Sequence, residues 1–222
     1  FAGDAAQGFA FIDLCRKHYD AVVMNPPFGE FSKQWKDVVV DQDAYPNIYN
    51  DILAAFVDRF LARLGQSGRI GAITARTCFF AGSFSEWRQR VILDRSALRI
   101  IADLGQGVMD GAMVEAAAYV LEQARPSTAA VIFRCIADRD REESIKACVD
   151  SHQAGSPEQR VFLAKQTSFG LLPGIPFAYW VQRSAIKKFS TLGSFKDLVG
   201  DVRQGLATAD NPRFARGIWE VH

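Results

Sequence analysis

Cysteine and histidine are scarce in the 222-residue sequence, and the few that occur are scattered. The four cysteines lie far apart, at Cys15, Cys78, Cys135 and Cys148. No Cys-x-x-Cys pair occurs, and the three histidines do not cluster with the cysteines. This spacing argues against a structural zinc site. It favours reduced, mostly buried cysteines of a cytoplasmic protein.

Long apolar runs and a charge excess are also missing. No apolar run approaches about 18 residues, so the sequence predicts no membrane span, and no secretion signal leads it. Lysine and arginine number 26 against 25 aspartates and glutamates, which leaves a net charge of +1. Because a free-standing DNA binder usually carries a clear basic excess, this balance argues against autonomous DNA binding, although not against local basic patches.

Short apolar runs predict the strands of a sheet. A β-branched run at 19–24 predicts a short buried strand that ends at two prolines. Further strands are predicted at 68–74, 98–104, 113–121 and 129–136. The strands at 98–104 and 113–121 are joined by a glycine-rich loop without a helix, so we expect them to pair antiparallel.

Between these strands, apolar residues recur at helical spacing. A helix is predicted at 51–64, capped by Asn50 or Asp51 and ended by Gly65. Asp51 is expected to act as a helix cap rather than as a catalytic acid. A second helix is expected at 85–93, with inward side chains at Trp87 and Val91. The order strand, helix, strand, helix, strand predicts a doubly wound α/β fold of parallel strands with a final antiparallel strand.

The second half of the chain is less regular. Residues 137–160 are polar, and we interpret them as a linker with a helix at 142–150 and a loose segment at 151–157. Residues 161–222 contain many turn signals and scattered aromatics. The predicted organisation is therefore a partial α/β domain over 1–136, a linker over 137–160, and over 161–222 the connection to a further region.

The strongest functional signal is Asn25-Pro26-Pro27-Phe28, directly after the first predicted strand. Ligands of open α/β sheets bind at the carboxyl ends of the strands, so a rigid loop there can present groups to a substrate. The Asn25 side-chain oxygen and the Pro26 carbonyl can each accept a hydrogen bond from an exocyclic amine. The prolines fix φ and remove competing N–H donors, and Phe28 offers a flat face for a base.

Methylation of the adenine N6 amine needs this arrangement. The amine is a poor nucleophile because its lone pair is delocalised into the ring, and two acceptors would hold it and favour a tetrahedral nitrogen. Positioning and electrostatics suffice for such a reaction, although the base must first leave the duplex. The alternative is a simple turn after a strand. A chance match of this kind is on the order of 1% for average proline usage, which favours the functional interpretation.

The segment 19–29 resembles the catalytic motif of the amino-methyltransferases that act on DNA adenine. The similarity continues, in the family's order, through further segments at 50–56, 71–77, 102–105, 113–115 and 203–208. Together these segments most resemble the large adenine-specific methyltransferases of BREX phage-defence systems and of related restriction–modification enzymes. The resemblance covers most of residues 1–125 and patches of 165–222.

The resemblance implies S-adenosylmethionine as the cofactor, double-stranded DNA as the substrate and other defence-system subunits as partners. It implies catalytic roles for Asn25, Pro26, Pro27 and Phe28, with Asn25 also next to the cofactor. In this family the main cofactor loop lies well upstream of the motif, and too few residues precede Asn25 to hold it. The sequence is therefore interpreted as a fragment without that loop. We expect the fragment alone to be inactive and to bind the cofactor weakly or not at all.

Four further residues are candidates for binding. Asp4 matches a family position where an acidic residue contacts the cofactor's adenine, although it could equally be an exposed terminal carboxylate. The family usually places a second base-stacking aromatic before the final strand, where this chain has Val108 and Met109. Met109 could offer a softer face, or both could be ordinary loop or core residues. Lys33 and Arg76 are candidates for contacts with DNA, with surface solvation as the alternative for Lys33 and a cofactor contact as the alternative for Arg76.

Two other functions stay open at this point. Enzymes that methylate glutamine side-chain amides of translation factors use the same pair of acceptors, but they are compact and would not continue so far past the last strand. The other possibility is a non-catalytic DNA-binding scaffold of a defence complex, which the altered stretch at Val108 and Met109 makes conceivable. An upstream glycine-rich loop in the parent chain would argue against the scaffold.

Overall fold

A computed structural model describes residues 2–27, 29–34, 51–109, 114–126, 129–136, 140–156, 158–192 and 200. The strands in this part of the chain are β1 (Tyr19–Met24), β2 (Leu64–Ala75), β3 (Ala97–Gly105), β4 (Ala116–Glu122), β5 (Ala130–Arg134) and β6 (Val161–Ala164). The longer helices are α1 (Ala2–Arg16), α2 (Ile52–Leu61), α3 (Ser85–Trp87 continued by Arg88–Leu93), α4 (Arg141–Gln153) and α5 (Arg183–Thr191). Short 3-10 helices lie at Arg76–Phe79, Gly82–Phe84 and Gln166–Leu171.

The strands form one mixed sheet in the order β1-β2-β4-β3-β5-β6. β1 pairs parallel with β2, and β3 pairs parallel with β5. β4 inserts antiparallel between β2 and β3, and β6 pairs antiparallel with β5. The predicted α/β class and the antiparallel pairing across the glycine-rich loop are therefore confirmed. The predicted antiparallel strand, β4, lies inside the sheet between β2 and β3.

The two helices predicted in the first half cover one face of the sheet. Leu53 and Val57 of α2 and Trp87 and Val91 of α3 are buried in the main core, as the spacing predicts for Trp87 and Val91. The second part of α3 is π-helical, a variation that the apolar spacing does not reveal. Helix α2 ends at Leu61 rather than at Gly65, because the next strand already begins at Leu64.

The other face of the sheet is covered unevenly. Helix α4 packs there against β3 and β5 through Cys148, which joins Phe133 and Cys135 in a second buried cluster. At the opposite end, Val23 of β1 is 89% exposed. The prediction of a buried first strand is therefore wrong for the described residues, because β1 is the edge strand and its outward side chains meet no described element.

Residues after β5 extend the sheet. Helix α4 runs to Gln153, so 151–153 are helical rather than loose. β6 adds a strand beside β5. The segment that follows β6 packs Phe169, Phe177 and Tyr179 into the main core. The described part of 161–222 is thus continuous with the sheet, while the proposed division of the chain into three regions stays a prediction.

The buried thiols agree with the sequence interpretation. Cys78, Cys135 and Cys148 are free and buried, and the side chain of Cys15 lies outside the described residues. Burial raises the pKa of Cys78 to about 12, so this thiol is protonated at neutral pH. Among the described residues, the longest helices fall short of the length and apolarity needed to cross a bilayer.

Candidate active site at the carboxyl edge of the sheet

The loop after β1 presents the predicted acceptors at the edge of the sheet. Asn25 is exposed, Pro26 is buried and Pro27 is exposed. Gly29 has φ +123°, in the region that favours glycine. Phe28 lies outside the described residues. Pro26 therefore restrains the backbone next to Asn25, whose side-chain amide is exposed.

Asp51 ties this loop to helix α2. Its Oδ1 accepts hydrogen bonds from the backbone N–H of Leu53 at 3.0 Å and of Gly29 at 3.2 Å. The N–H of Ile52 donates back to the Gly29 carbonyl at 3.0 Å. Burial raises the pKa of Asp51, and the two N–H donors oppose that rise only in part. The predicted helix cap is thus confirmed, and it also anchors the loop that carries Asn25 and Pro26.

A groove of about 330 Å³ lies between β1 and helix α2. Its lining consists of Tyr19, residues 21–27, Phe56 and Phe60. None of these described lining residues is charged. The groove can therefore hold an apolar or weakly polar part of a ligand against the base of the Asn25 loop, but it supplies no ionic contact.

Next to this loop, Arg76 joins the ends of three strands. It follows β2, and its Nε donates to Asp103 Oδ1 at 2.5 Å near the end of β3. Its Nη1 donates to Glu115 Oε2 at 2.9 Å, just before β4. Tyr179 donates its hydroxyl to the second oxygen of Asp103 at 2.6 Å. Asp103 is almost fully buried, and these two donors satisfy its carboxylate.

The charges of this cluster stabilise one another. Burial by itself lowers the pKa of Arg76, but the hydrogen bonds and charges of Asp103 and Glu115 outweigh it and raise the pKa. Burial, together with the hydrogen bond to Asp103, raises the pKa of Tyr179. At neutral pH Arg76 is therefore a charged guanidinium and Tyr179 a neutral phenol. Arg76 is held in place before any ligand arrives.

Aromatic rings continue the edge beyond Arg76. The guanidinium carbon of Arg76 lies 4.4 Å from the ring centroid of Phe80. The Phe80 ring packs against Trp180 with centroids 5.5 Å apart, and Arg134 at the end of β5 lies over Trp180. Two aromatic rings thus lie between two cations along the edge, an arrangement suited to flat, negatively charged ligands.

The other predicted site residues are less closely grouped. Lys33 is exposed, a few residues after the Asn25 loop. Met109 is half-buried in the loop after β3, and its neighbour Val108 packs against the second buried cluster. The backbone of Asp4 lies in the first turn of α1, with its side chain outside the described residues. The structure therefore places Asn25, Pro26 and Arg76 along one edge.

Sequence reasoning missed the roles of three members of this site, Asp103, Glu115 and Tyr179. Asp103 was noted only within a segment of family resemblance, although a lone carboxylate in an apolar strand signals a buried partner. Its partner Tyr179 lies 76 residues away along the chain. No local pattern indicates that pairing.

The chain is similar in sequence to a methylase family and to two adenine-specific methyltransferases. Residues 3–108 match the family described as Eco57I restriction-modification methylase. The chain is 25% identical over 209 residues to the adenine-specific methyltransferase PglX of Lacticaseibacillus casei (strain Zhang), covering 91% of this chain and 17% of PglX. It is 26% identical over 188 residues to the adenine-specific methyltransferase BrxX of Escherichia coli O9:H4 (strain HS), covering 81% and 15%. The chain thus spans a small part of each relative's length.

Solved structures of restriction–modification proteins share the fold. One from a type I restriction–modification system has a TM-score of 0.57 at 16% identity, covering 85% of this chain and 42% of the other. The type I methyltransferase subunit from Streptococcus thermophilus has a TM-score of 0.50 at 14% identity, covering 69% and 36%. The predicted resemblance to adenine-specific methyltransferases of defence and restriction–modification systems is therefore confirmed, and the family match contains Asn25, Pro26 and Arg76.

Proposed function

We propose that the protein transfers a methyl group from S-adenosylmethionine to the N6 amine of adenine at specific sites in double-stranded DNA, in phage defence or restriction–modification. The observation that carries the proposal is the anchored Asn25-Pro26 pair at the carboxyl end of β1. The names of the relatives and the family match over residues 3–108 support it.

In this proposal the two acceptors hold the amine of an adenine that has left the duplex. Asn25 Oδ1 accepts one N6–H and the Pro26 carbonyl accepts the other. Together these two hydrogen bonds favour a tetrahedral nitrogen, whose lone pair then points away from the ring system and towards the methyl donor. The proton leaves the nitrogen after methyl transfer, so no strong base is needed. The link between Asp51 and Gly29 keeps the acceptors in place and provides the positioning on which the rate depends.

S-adenosylmethionine supplies an electrophilic methyl group on a sulfonium when it is bound. The groove beside β1 fits this end of the molecule, because it ends at Asn25 and Pro26 and is otherwise apolar. It does not fit the amino-acid and ribose ends, since its described lining offers no charged group. Within this chain, Asn25 and Pro26 are thus the proposed contacts on the methyl side, and Asp4 is a proposed contact to the cofactor's adenine.

The remaining predicted residues take supporting roles in the proposal. Phe28 stacks on the target base, and Pro27 restrains the loop. Arg76 and Lys33 contact the DNA backbone near the target. The fixed guanidinium of Arg76 suits such a contact, because its orientation is already set by Asp103 and Glu115. Met109 borders the base on the side of the loop after β3.

Transfer of labelled methyl groups to DNA tests the proposal. The full chain in which this sequence occurs is incubated with labelled S-adenosylmethionine and phage or plasmid DNA, with its partner subunits present. We expect label in N6-methyladenine for the wild type and none above background for Asn25→Ala. Gln66→Ala is the matched control. Gln66 is exposed near the amino end of β2, at the opposite end of the strands from the Asn25 loop. Its replacement should leave methyl transfer unchanged.

Three results would overturn the proposal or its mechanism. Label on a protein glutamine rather than on DNA would indicate the amide methyltransferase. DNA binding by a folded, partner-supplied protein without any transfer would indicate a scaffold. Equal transfer by the wild type and Asn25→Ala would remove Asn25 from the mechanism.

A further inference from the structure

An exposed tryptophan stands at the same edge of the sheet as the Asn25 loop. Trp180 is 42% exposed. Its ring centroid lies 5.5 Å from that of Phe80, and 4.9 Å from that of Tyr179 in an edge-to-face arrangement. The guanidinium carbon of Arg134 lies 5.6 Å from the Trp180 centroid. A large aromatic surface is thus open to solvent beside the guanidinium of Arg134.

The position of this surface suits contact with a ligand of the catalytic loop. Arg134 ends β5 and lies opposite Asp103, near the end of β3. Ligands of open α/β sheets bind beyond these carboxyl ends. Four strand spacings of about 4.8 Å separate β1 from β5, which is about 19 Å. DNA rises about 3.4 Å per base step, so about six steps would span the edge from the Asn25 loop to Arg134.

The segment that carries Trp180 is held rigidly. The Tyr179 hydroxyl is hydrogen-bonded to Asp103 at 2.6 Å. The backbone N–H of Phe177 donates to the Phe79 carbonyl at 2.9 Å. Arg88 donates to the carbonyls of the same segment just before Phe177. A ring fixed in this way loses little conformational freedom when a ligand stacks on it.

The neighbouring loop offers no competing aromatic surface. Residues 105–115 contain no Phe, Tyr or Trp. Val108 of this loop is partly buried and packs against the second buried cluster. In the segment 166–181, which borders the edge, Phe169, Phe177 and Tyr179 are buried, whereas Trp180 is exposed.

We propose that Trp180 stacks on a nucleobase of the substrate DNA within about six base steps of the target adenine, while Arg134 contacts the adjoining phosphate. The inference rests on the proposed function, because it takes DNA as the ligand of this edge. Stacking on an aromatic ring next to a guanidinium is a sequence-tolerant way to hold an unpaired base. Extrusion of an adenine disturbs the stacking of the bases near it, and Trp180 covers the face of one base within this span.

DNA affinity of the full chain tests the inference. A base–aromatic stack is worth about 1–3 kcal/mol, so Trp180→Ala should raise the Kd for DNA by a factor between about 5 and 150. Trp180→Phe keeps a ring and should raise the Kd less. Arg134→Gln should reduce the salt dependence of binding by about one phosphate contact. The matched control is Phe189→Ala, which removes another exposed ring, in α5, and should leave the Kd unchanged.

Two measurements separate binding from folding. DNA should quench tryptophan emission in the wild type, and the quenched part should be missing in Trp180→Phe. If Trp180→Ala lowers the melting temperature, Trp180→Leu replaces it, because leucine keeps an apolar contact with Phe80 without a stacking face. Unchanged DNA affinity and unchanged quenching in folded Trp180 variants would overturn the inference.

The inference about Trp180 and the proposed function can fail separately, because DNA binding and methyl transfer are measured separately. If the wild type methylates adenine and the Trp180 variants bind DNA normally, the inference fails and the proposed function stands. If the wild type binds DNA without methylating it, and Trp180→Ala binds more weakly, the inference stands and the proposed function fails. If the wild type neither binds nor methylates DNA, both fail.

Discussion

Asp51 is a single residue on which both a helix and the proposed acceptor loop depend. Replacing it with alanine removes the acceptor for the Leu53 and Gly29 N–H groups. Loss of a helix cap costs about 1 kcal/mol in free energy of unfolding. The Asn25 loop would also lose its anchor, so we expect methyl transfer by Asp51→Ala to fall by about tenfold or more. Denaturant unfolding and labelled methyl transfer measure the two effects.

Asp51→Asn is the control for this prediction. Asparagine keeps the Oδ1 acceptor and caps helices as well as aspartate does. Since burial raises the pKa of Asp51, the neutral amide also avoids the cost of placing a charge there. We expect Asp51→Asn to retain most of the stability and transfer of the wild type. An asparagine variant as inactive as the alanine variant would show that the carboxylate itself takes part in the reaction.

Sequence reasoning reached single residues where the signal is local. The cap at Asp51 follows from its place before an apolar helical pattern, and the position of Arg76 follows from the end of a strand. The partners of Arg76 were not predictable, because Asp103 and Glu115 lie 27 and 39 residues further along the chain. The ion pairs form because β4 pairs with β2 and β3 pairs with the other side of β4.

At the scale of elements, Arg88 joins segments that are distant in sequence. It is fully buried on α3 and donates to the carbonyls of Cys78, Ala81, Gly174 and Ile175 at 2.6–2.8 Å. Burial lowers its pKa to about 10, so it is still charged at neutral pH. The contacts hold the turns after β2 against the segment that leads to Trp180.

Removing this guanidinium should loosen both segments. Arg88→Met leaves the four carbonyls without their donor, and we expect the free energy of unfolding to fall by about 3 kcal/mol or more. Arg88→Lys should recover part of this loss, because an ammonium has three donors but no planar fork. Denaturant unfolding gives both values. A methionine variant as stable as the wild type would mean that water satisfies these carbonyls equally well.

Elements were predictable where an apolar pattern marks them. Strands β1 to β5 and helices α2 and α3 follow from such patterns. Helix α1 was not predicted. Its apolar residues Phe9, Ile12 and Leu14 are exposed, so the helix has no buried face whose apolar spacing would mark it in the sequence. β6 was missed because it spans only Val161–Ala164, too short for a periodic signal. The exposure of β1 was missed because an apolar run does not show what lies beside a strand.

At the scale of the whole molecule, the distribution of charge limits what this chain can bind by itself. The groove beside β1 has an uncharged lining among the described residues, whereas S-adenosylmethionine carries an ammonium, a carboxylate and ribose hydroxyls that need polar partners. We therefore expect residues 1–222 alone to bind S-adenosylmethionine weakly or not at all. The longer chain should bind it with the affinity required for transfer.

Titration calorimetry of both proteins with S-adenosylmethionine tests this expectation, after circular dichroism has shown that residues 1–222 are folded. Asn25→Ala in the longer chain should weaken binding only slightly, because Asn25 faces the methyl end and the polar ends account for most of the recognition. Micromolar binding by residues 1–222 would contradict the prediction. It would mean that the sheet edge described here, with Asp4 and the Asn25 loop, already forms most of the cofactor site.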